Sequence, residues 1–353
     1  CRVLARDGCD VALTYFGNEA RARLAAGMVE AEGRAAGIHR LNIEETDSVR
    51  AFAAEVARVH GAVHTLVYAA GPLVPLIHLS KIEPELMKKH RIEAGVHFAA
   101  FAYVGVSVTE PAKYYHNNIV GTLSLLDAMR AADVRRIVFS SSCATYGIPT
   151  KVPISEVHPQ NPISPYGFTK LAIEHALKDY AHAYGIGYAA LRYFNASGAA
   201  ADGSIGEDHD PETHLIPLVL QVALGQRGEA QIFGTDYPTP DGTCIRDYIH
   251  VDDLAEAHLA ALEKLDDGSA LKLNLGTGTG VSVEEVIEAC RDVTGHKIPA
   301  KALGRREGDP PALVADATLS RQVLGWEAKH KDIRETIESA WRWHKSHPHG
   351  YEG

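Results

Sequence analysis

Ser140-Ser-Ser-Cys-Ala-Thr-Tyr-Gly147 is the stretch that decides the fold of this chain. It follows the apolar run Val134–Phe139, which predicts a buried parallel strand that delivers hydroxyl groups to the carboxyl edge of a sheet. A second stretch, Ser164-Pro-Tyr-Gly-Phe-Thr-Lys170, places Tyr166 and Lys170 at i,i+4 on one face of a predicted helix. There the lysine charge would lower the pKa of the tyrosine. A serine, a tyrosine and a lysine in this arrangement suit an enzyme that takes a proton from a carbinol during oxidation.

The composition bounds the class of protein. The chain has 353 residues, of which 46% are hydrophobic and 23% charged, which predicts a large core divided between two lobes. A net charge of −10 argues against nucleic acid as a partner, and no apolar run is long enough to predict a membrane partner. The five cysteines have no paired spacing and the nineteen histidines form no HExxH motif, which favours reduced thiols, a cytoplasmic protein and no metal site. Because the chain starts at Cys1 within an amphipathic pattern, we expect it to be truncated.

The first ninety residues alternate predicted strands with predicted helices. The strands are Asp10–Tyr15, Ile38–Ile43 and Val63–Gly71, and the helices are Glu19–Glu32 and Asp47–His60. This alternation predicts βαβ units on a parallel sheet.

Two sets of motifs divide the chain. Tyr68-Ala-Ala-Gly71 follows the third predicted strand. With this turn, residues 1–92 resemble a classical short-chain dehydrogenase/reductase without its first strand and glycine-rich turn. The later motifs are His97-Phe-Ala-Ala100, Tyr114-Tyr-His-Asn-Asn118, Ser140-Ser-Ser142, Tyr166-Gly-Phe-Thr-Lys170, Leu191-Arg-Tyr-Phe-Asn195, Arg246-Asp-Tyr-Ile-His-Val251 and Arg305-Arg-Glu-Gly-Asp309. With these motifs, the chain from about residue 93 to the end resembles the UDP-glucose 4-epimerases, which are extended short-chain dehydrogenase/reductases.

The resemblance implies an α/β fold of the Rossmann type, a doubly wound parallel sheet with a smaller C-terminal lobe. The expected domains are a dinucleotide-binding domain over 1–192 and a mainly nucleotide-sugar-binding lobe over 193–353. Since the first strand of the sheet is missing, we expect Val63–Ala69 to fill its slot beside Asp10–Tyr15. Val96–Ala100 would then lie next to it. The resemblance also implies a homodimer through helices at Glu110–Ala131 and Tyr166–Tyr184.

The implied activity is the interconversion of UDP-glucose and UDP-galactose by transient C4 oxidation with bound NAD. The resemblance assigns catalysis to Tyr166, Lys170 and Ser142. It assigns NAD binding to Phe98, Ala99, Ala100, Phe101, Ala102, Asn118, Ser142, Tyr166, Lys170 and Phe194. It assigns UDP-sugar binding to Asn195, His214, Leu215, Gln231, Ile232, Phe233, Arg246, Arg306, Asp309 and Leu313. Leu313 occupies the position that sets pocket size, and its intermediate bulk favours glucose and galactose while leaving N-acetylated sugars open.

One feature supports a competing hypothesis. No GxGxxG or TGxxxGxG motif occurs before residue 140, although such a turn lets backbone N–H groups approach the pyrophosphate of NAD. The nearest imitation, Gly276-Thr-Gly-Thr-Gly280, is better explained as a turn between a strand and a helix, with Ser282 and Glu285 as a capping box. The alternative is therefore a catalytically impaired or inactive chimera that binds nucleotide sugars.

Overall fold

A five-stranded parallel sheet forms the centre of the molecule. The computed structural model describes residues 1–6, 8–15, 19–40, 56, 58, 65–68, 84–89, 91–306 and 308–351. The strands of the central sheet are β3 Thr65–Tyr68, β4 Ala94–His97, β5 Arg136–Ser142, β6 Gly187–Tyr193 and β10 Ala270–Leu275. They lie in the order β10-β6-β5-β4-β3. The α/β parallel-sheet fold predicted from the sequence is confirmed.

The N-terminal strands pair with each other. β1 (Val11–Tyr15) is parallel to β2 (Ala36–Arg40), so the second predicted strand begins two residues earlier than expected, and its predicted residues 41–43 lie outside the described residues. Most of the predicted helix Asp47–His60 also lies outside them. β3 lies directly beside β4, as predicted for the strand that fills the missing slot. Among the described residues, no ladder joins β3 to β1. The predicted position of this strand beside Asp10–Tyr15 therefore stays a prediction.

Helices cover the sheet and connect its strands. Their bounds are Arg2–Arg6, Glu19–Ala31, Pro84–Lys89, Val104–Thr109, Pro111–Tyr114, Gly121–Ala131, Pro165–Tyr184, Leu215–Ala223, Val251–Glu263, Val283–Thr294, Thr318–Leu324 and Ile333–Ser346. The helix predicted over Glu110–Ala131 is interrupted by a π-helical segment at Tyr115–Val120. None of the helices in the described ranges has the length and apolar character needed to span a bilayer.

Strand β5 is buried along almost its whole length. Ile137, Val138 and Phe139 pack into the apolar layers on the two faces of the sheet. The strand ends in the three serines, as predicted, because its ladder with β6 extends to the pair Ser142–Tyr193. The serine hydroxyls therefore have fixed backbone positions instead of lying on a loop.

The helix Pro165–Tyr184 begins and ends at clear sequence signals. The Ser164 hydroxyl accepts a hydrogen bond from the backbone N–H of Gly167 at 3.2 Å, and Pro165 occupies the first turn, where its missing N–H costs nothing. Gly185 ends the helix in a left-handed conformation, with φ of +71°. A Cβ on Gly167 would lie 2.5 Å from the carbonyl oxygen of Ala144, so the glycine lets the helix approach the turn that follows β5. This contact sets the distance between Tyr166 and the serines.

The C-terminal residues build two small sheets and return one strand to the centre. The first small sheet contains β7 (Asn195–Ser197), β9 (Ile245–His250), β11 (Gly280–Ser282) and β13 (Ala312–Leu313). The second pairs β8 (Ala230–Phe233) with β12 (Ala300–Leu303). Between them, β10 joins the central sheet beside β6. The loops at the carboxyl ends of β5, β6 and β9 therefore belong to one region, as expected for a ligand site in an open α/β sheet.

Candidate active site

Ser142, Tyr166 and Lys170 converge at the carboxyl end of β5. The Lys170 ammonium, whose side chain is buried, donates to the carbonyl oxygen of Ser140 at 2.6 Å and lies 5.8 Å from the centre of the Tyr166 ring. The Ser142 hydroxyl accepts from the backbone N–H of Ala144 at 3.1 Å, which fixes its direction at the strand end. The three residues predicted to be catalytic are therefore brought together, and only Tyr166 remains partly exposed to an incoming ligand.

The predicted effect of Lys170 on Tyr166 is wrong for this structure. Burial raises the pKa of the Tyr166 phenol, and Tyr193 adds to the rise, while hydrogen bonding with Ser142 opposes it. Lys170 does not offset the effect of burial on the tyrosine pKa. Its ammonium is bonded to the carbonyl of Ser140 and lies 5.8 Å from the centre of the Tyr166 ring. Burial also lowers the pKa of Lys170 to about 7.

Asn118 clamps the segment that follows β4. Its side-chain oxygen accepts from the N–H of Phe101 at 2.9 Å, and its amide donates to the carbonyl of Phe101 at 3.1 Å and to the hydroxyl of Thr169 at 3.1 Å. Both amide donors are used in these bonds. The sequence assigned Asn118 to cofactor contact, but in this structure its polar atoms join the segment after β4 to the helix of Tyr166.

The other predicted cofactor residues line the same edge of the sheet. Phe101 is buried, and its ring packs against Tyr114 at 5.7 Å. Phe98 is exposed at the surface and contacts His258, with ring centres 4.6 Å apart. The small residues are half-buried or exposed, and they are Ala99, Ala100 and Ala102.

A buried ionic network behind the site was not predicted from the sequence. Glu174 and Arg192 are 0% and 2% exposed and form two hydrogen bonds, of 2.9 and 2.6 Å. The Ser141 hydroxyl donates to the same carboxylate at 2.6 Å. Arg192 also donates to the Tyr146 hydroxyl at 2.9 Å, and Tyr146 donates to the side chain of Asn274 at 2.7 Å. The network thereby ties β5, β6 and β10 to the helix that carries Lys170.

An apolar cluster joins the catalytic edge to the small sheet of β9. Phe194 is buried together with Cys143, and Leu313 packs against the same cluster. Burial raises the pKa of the Cys143 thiol to about 12, while the charge of Arg246 lowers it and that of Asp247 raises it. Arg246 therefore lies within electrostatic reach of the residue that follows Ser142.

Arg246 and Asp309 form an ion pair in this region. A guanidinium nitrogen of Arg246 contacts a carboxylate oxygen of Asp309, and another nitrogen of the arginine donates to the carbonyl of Ile245 at 2.8 Å. Asn195 donates to the carbonyl of Asp247 at 3.1 Å, which places its side chain at the start of the same strand pair. Two of the residues predicted to bind the sugar nucleotide, Arg246 and Asn195, are thus carried by the small sheet of β9, and Asp309 lies in the loop before β13.

The remaining predicted substrate residues occupy two other places. The guanidinium of Arg306 lies over the ring of Phe233 at 3.8 Å, a cation–π contact at the end of β8. On the same strand Ile232 is buried and Gln231 is exposed. His214 is the residue before the helix Leu215–Ala223, and it contacts Glu207. Each of these residues therefore has a defined location. Among the described residues, no contact is recorded between the catalytic residues and the group formed by Gln231, Ile232, Phe233 and Arg306.

The glycine-rich stretch after β10 is a structural turn, as predicted. The Asp247 carboxylate accepts from the backbone N–H groups of Thr277 at 2.9 Å, Gly278 at 3.1 Å and Ala315 at 3.1 Å. The N–H groups of Thr277 and Gly278 in this turn therefore bond to a carboxylate of the protein itself, that of Asp247. Ser282 and Glu285 form the predicted capping box at the start of the next helix.

Comparison with known proteins assigns the class. Residues 80–276 match the model of the NAD dependent epimerase/dehydratase family. The chain is 56% identical over 263 residues to a UDP-glucose 4-epimerase of Halalkalibacterium halodurans, an alignment that covers 74% of this chain and 79% of the relative. The chain therefore belongs to the UDP-glucose 4-epimerase family.

Solved structures extend the likeness beyond the aligned sequence. A UDP-glucose 4-epimerase of Bifidobacterium longum in complex with NAD+ and UDP superposes with a TM-score of 0.80 at 33% identity, over 99% of this chain and 95% of that one. A Brucella ovis UDP-glucose 4-epimerase in complex with NAD gives a TM-score of 0.76 at 43% identity, over 95% and 98% of the two chains. The fold is thus shared over a larger part of the chain than the sequence likeness to the Halalkalibacterium enzyme covers.

Proposed function

We propose that this chain is an NAD-dependent UDP-glucose 4-epimerase, an isomerase that interconverts UDP-glucose and UDP-galactose. The observation that carries the proposal is the convergence of Ser142, Tyr166 and Lys170 at the carboxyl end of β5. Family membership supports the same reaction.

The roles of the three residues follow from their chemistry. Tyr166 accepts the proton of the sugar C4 hydroxyl, and Ser142 hydrogen-bonds the same oxygen. Lys170 stabilises the tyrosinate that this transfer requires, because its ammonium lies 5.8 Å from the centre of the phenol ring. NAD, when bound, supplies the reversible oxidation at C4. Since the raised pKa of Tyr166 opposes its ionisation, ligand binding has to bring positive charge to the phenol before the tyrosine acts as a base.

The residues at the edge of the sheet fit the nicotinamide end of NAD. Lys170 uses one of its three donors in the bond to Ser140, which leaves two for ribose hydroxyls. The alanines after β4 present no bulk against a ring, and Asn118 holds the backbone there in one conformation. Phe194 adds a buried apolar wall near Cys143. The residues that would hold the pyrophosphate belong to no glycine-rich motif in residues 1–140.

The substrate residues fit a nucleoside diphosphate sugar. Arg246 and Arg306 supply guanidinium groups suited to two phosphates, and Asp309 can accept a ribose hydroxyl. Phe233 and Gln231 offer a ring and a polar group for the uracil, and Ile232, Asn195, His214 and Leu215 complete the set. Leu313 lies opposite Arg246 in the pairing of β13 with β9 and packs against the apolar cluster that contains Phe194. We propose that its bulk at this place favours a C2 hydroxyl over an N-acetyl group.

Activity and cofactor content test the proposal together. The full chain is purified, its NAD content is measured after denaturation, and UDP-galactose is converted in an assay coupled to the oxidation of UDP-glucose. We expect bound NAD, turnover, and a fall in kcat of about 10²–10⁴-fold in Tyr166→Phe. Tyr184→Phe, which removes a phenol from the exposed end of the same helix, is the matched control and should keep its activity.

The inactive alternative makes the opposite prediction. Protein that binds UDP, contains no NAD and converts no UDP-galactose would favour the nucleotide-sugar-binding chimera. The family likeness and the intact catalytic set favour the active enzyme over this alternative.

Three further parts of the proposal concern assembly, location and domains. The helices predicted to dimerise carry exposed Val120, Tyr115 and Phe168, and the last two rings are in contact at 5.9 Å. This apolar patch supports a homodimer, which Phe168→Glu should convert to a monomer in sedimentation equilibrium.

Five free cysteines support a reducing, cytoplasmic location. We also propose a division between the two lobes at residue 192, across which β10 returns to the first lobe.

A further inference from the structure

Two histidines and two glutamates converge in the loop before the helix Leu215–Ala223. They are Glu207, His209, Glu212 and His214, and each places one nitrogen or oxygen within 4.8 Å of the others. The four residues come from a stretch of eight, 207–214, so one loop conformation brings them together. The sequence prediction of no metal site rested on cysteine spacing and the HExxH motif, neither of which detects this arrangement.

The contacts within the cluster point inward. His209 Nδ1 lies 3.0 Å from Glu207 Oε1, and His214 Nδ1 contacts the same oxygen. Glu212 lies across from them, with Oε2 at 3.7 Å from His209 Nδ1 and Oε1 at 3.8 Å from His214 Nδ1. Each imidazole ring thus directs its own Nδ1 atom to one centre, and the carboxylates of Glu207 and Glu212 border that centre.

The spacing fits four ligands on one ion. Nitrogen and oxygen ligands at 2.0–2.2 Å from a tetrahedral Zn²⁺ are about 3.4 Å apart, and two imidazoles on one such ion have ring centres about 5 Å apart. The contacts His209–Glu207 at 3.0 Å, His209–Glu212 at 3.7 Å and His214–Glu212 at 3.8 Å lie on either side of the first value, whereas the shorter contact between His214 and Glu207 has to lengthen when an ion enters. The rings of His209 and His214 are 5.1 Å apart and inclined at 73°, which matches the second.

Glu212 supplies an independent observation. Its side chain is only 4% exposed. Oε1 accepts the backbone N–H groups of Thr213 at 2.6 Å and His214 at 2.7 Å. Oε2 then lies 3.7 Å from His209 Nδ1, a distance longer than a hydrogen bond. A buried carboxylate that is held by its backbone and aimed at two imidazoles is the arrangement of a preformed ligand.

The surroundings hold the cluster in place. The indole N–H of Trp343, which is fully buried, donates to the backbone carbonyl of Glu207 at 3.0 Å. The ring of Tyr103 lies edge-on to His209, with centres 5.8 Å apart. The loop is therefore braced by the C-terminal helix on one side and by the segment that follows β4 on the other.

We propose that this chain binds one divalent transition-metal ion of the Zn²⁺ class through Glu207, His209, Glu212 and His214. Imidazole and carboxylate ligands in a four-coordinate set are those that Zn²⁺ takes in proteins. The ion fixes the loop that leads into the helix Leu215–Ala223. Coordination through Nδ1 leaves the Nε2 proton of His214 as a hydrogen-bond donor.

Metal binding is measured without turnover, so its outcome is independent of the proposed epimerase activity. The full chain is treated with chelator, desalted, and titrated with ZnCl₂ by calorimetry at neutral pH. In parallel, Co²⁺ is added and its visible spectrum recorded. We expect one Zn²⁺ per chain with micromolar or tighter affinity, and the intense visible bands of tetrahedral Co²⁺. Thiolate-to-cobalt absorption should be absent, which distinguishes this site from the exposed Cys1 and Cys9.

Variants assign the ligands. His209→Asn and Glu212→Gln should each weaken Zn²⁺ binding at least 100-fold, whereas His182→Asn, which removes an exposed histidine elsewhere, should not change it. Wild-type protein that binds no Zn²⁺ below 100 μM, or that gives only the pale spectrum of octahedral Co²⁺, would overturn the proposal and leave an ion-pair cluster. Equal binding by His209→Asn would overturn it too. The cobalt spectrum needs no variant, so it decides the question even if a substituted chain fails to fold.

Discussion

Replacing Glu174 by glutamine tests the buried network behind the catalytic strand. The change keeps the shape of the side chain and removes its charge, which leaves the guanidinium of Arg192 buried without a counter-ion. In the structure the carboxylate accepts two bonds from Arg192 and one from Ser141, and both charged side chains are almost completely inaccessible. Breaking a buried ion pair by removing one partner costs about 3–5 kcal/mol. We therefore expect Glu174→Gln to lose about that much, a large fraction of the stability of an ordinary domain of about 5–15 kcal/mol.

The pH dependence of this loss follows from the pKa of Glu174. Burial alone would raise the pKa, but the hydrogen bonds and charge of Arg192, together with Ser141, hold it below its ordinary value of 4.5. A carboxyl group with a depressed pKa stabilises the fold above its unfolded pKa, and the contribution disappears as pH falls through the folded pKa. The difference in the free energy of unfolding between the wild type and Glu174→Gln should thus be constant from pH 8 to pH 5 and shrink below that range.

Urea unfolding followed by circular dichroism measures the effect, with Glu256→Gln as the control. Glu256 pairs with Lys329 at the surface, so its substitution should cost less than about 1 kcal/mol. The double variant Glu174→Leu, Arg192→Met removes both buried charges and should be more stable than Glu174→Gln alone. The reasoning fails if Glu174→Gln loses no more than Glu256→Gln, or if its loss does not decline in acid.

Two other predictions follow from contacts at the site. Asn118→Leu leaves the backbone N–H and carbonyl of Phe101 without their partners, at a cost of about 1–3 kcal/mol for each group; its unfolding midpoint should fall well below that of Asn117→Ala, and equal midpoints would contradict the clamp. Burial raises the pKa of the thiols of Cys143 and Cys290 to about 12 and also raises that of Cys244, whereas Cys1 and Cys9 are exposed. Iodoacetamide at pH 8 should therefore add two groups to the native chain by mass spectrometry and five after denaturation, and rapid addition of a third would refute the burial argument.

The sequence was sufficient where chemistry depends on local spacing. Tyr166 and Lys170 are one helical turn apart, and Ser142 ends a strand whose apolar run predicts a buried position, so local rules place all three. The glycine stretch at 276–280 was also interpreted correctly, because a capping box follows it.

The sequence was insufficient where long-range packing decides. Glu174 and Arg192 are eighteen residues apart and meet only because the helix packs on β6. The one local signal was a charged residue inside an apolar strand, which needs a buried partner. The pKa of Tyr166 was predicted with the wrong sign because spacing gives the approach of Lys170 but not the burial of the phenol. Asn118 was placed at the correct edge of the sheet, but its partners across the fold could not be read from the motif.

The two parts of the chain differ in what the fold requires of them. The catalytic residues Ser142, Tyr166 and Lys170 need particular side chains, and all three fall within residues 80–276, which match the family model. A parallel strand beside β4 needs only an apolar segment of the correct length, a requirement that Thr65–Tyr68 meets. In the sequence, small residues follow both strands, Ala-Ala-Gly after β3 and Ala99 and Ala100 after β4, whereas no glycine-rich phosphate turn occurs in residues 1–140. For this reason the NAD content of the purified chain, and not the presence of Tyr166, is the measurement that separates an active epimerase from an inactive one.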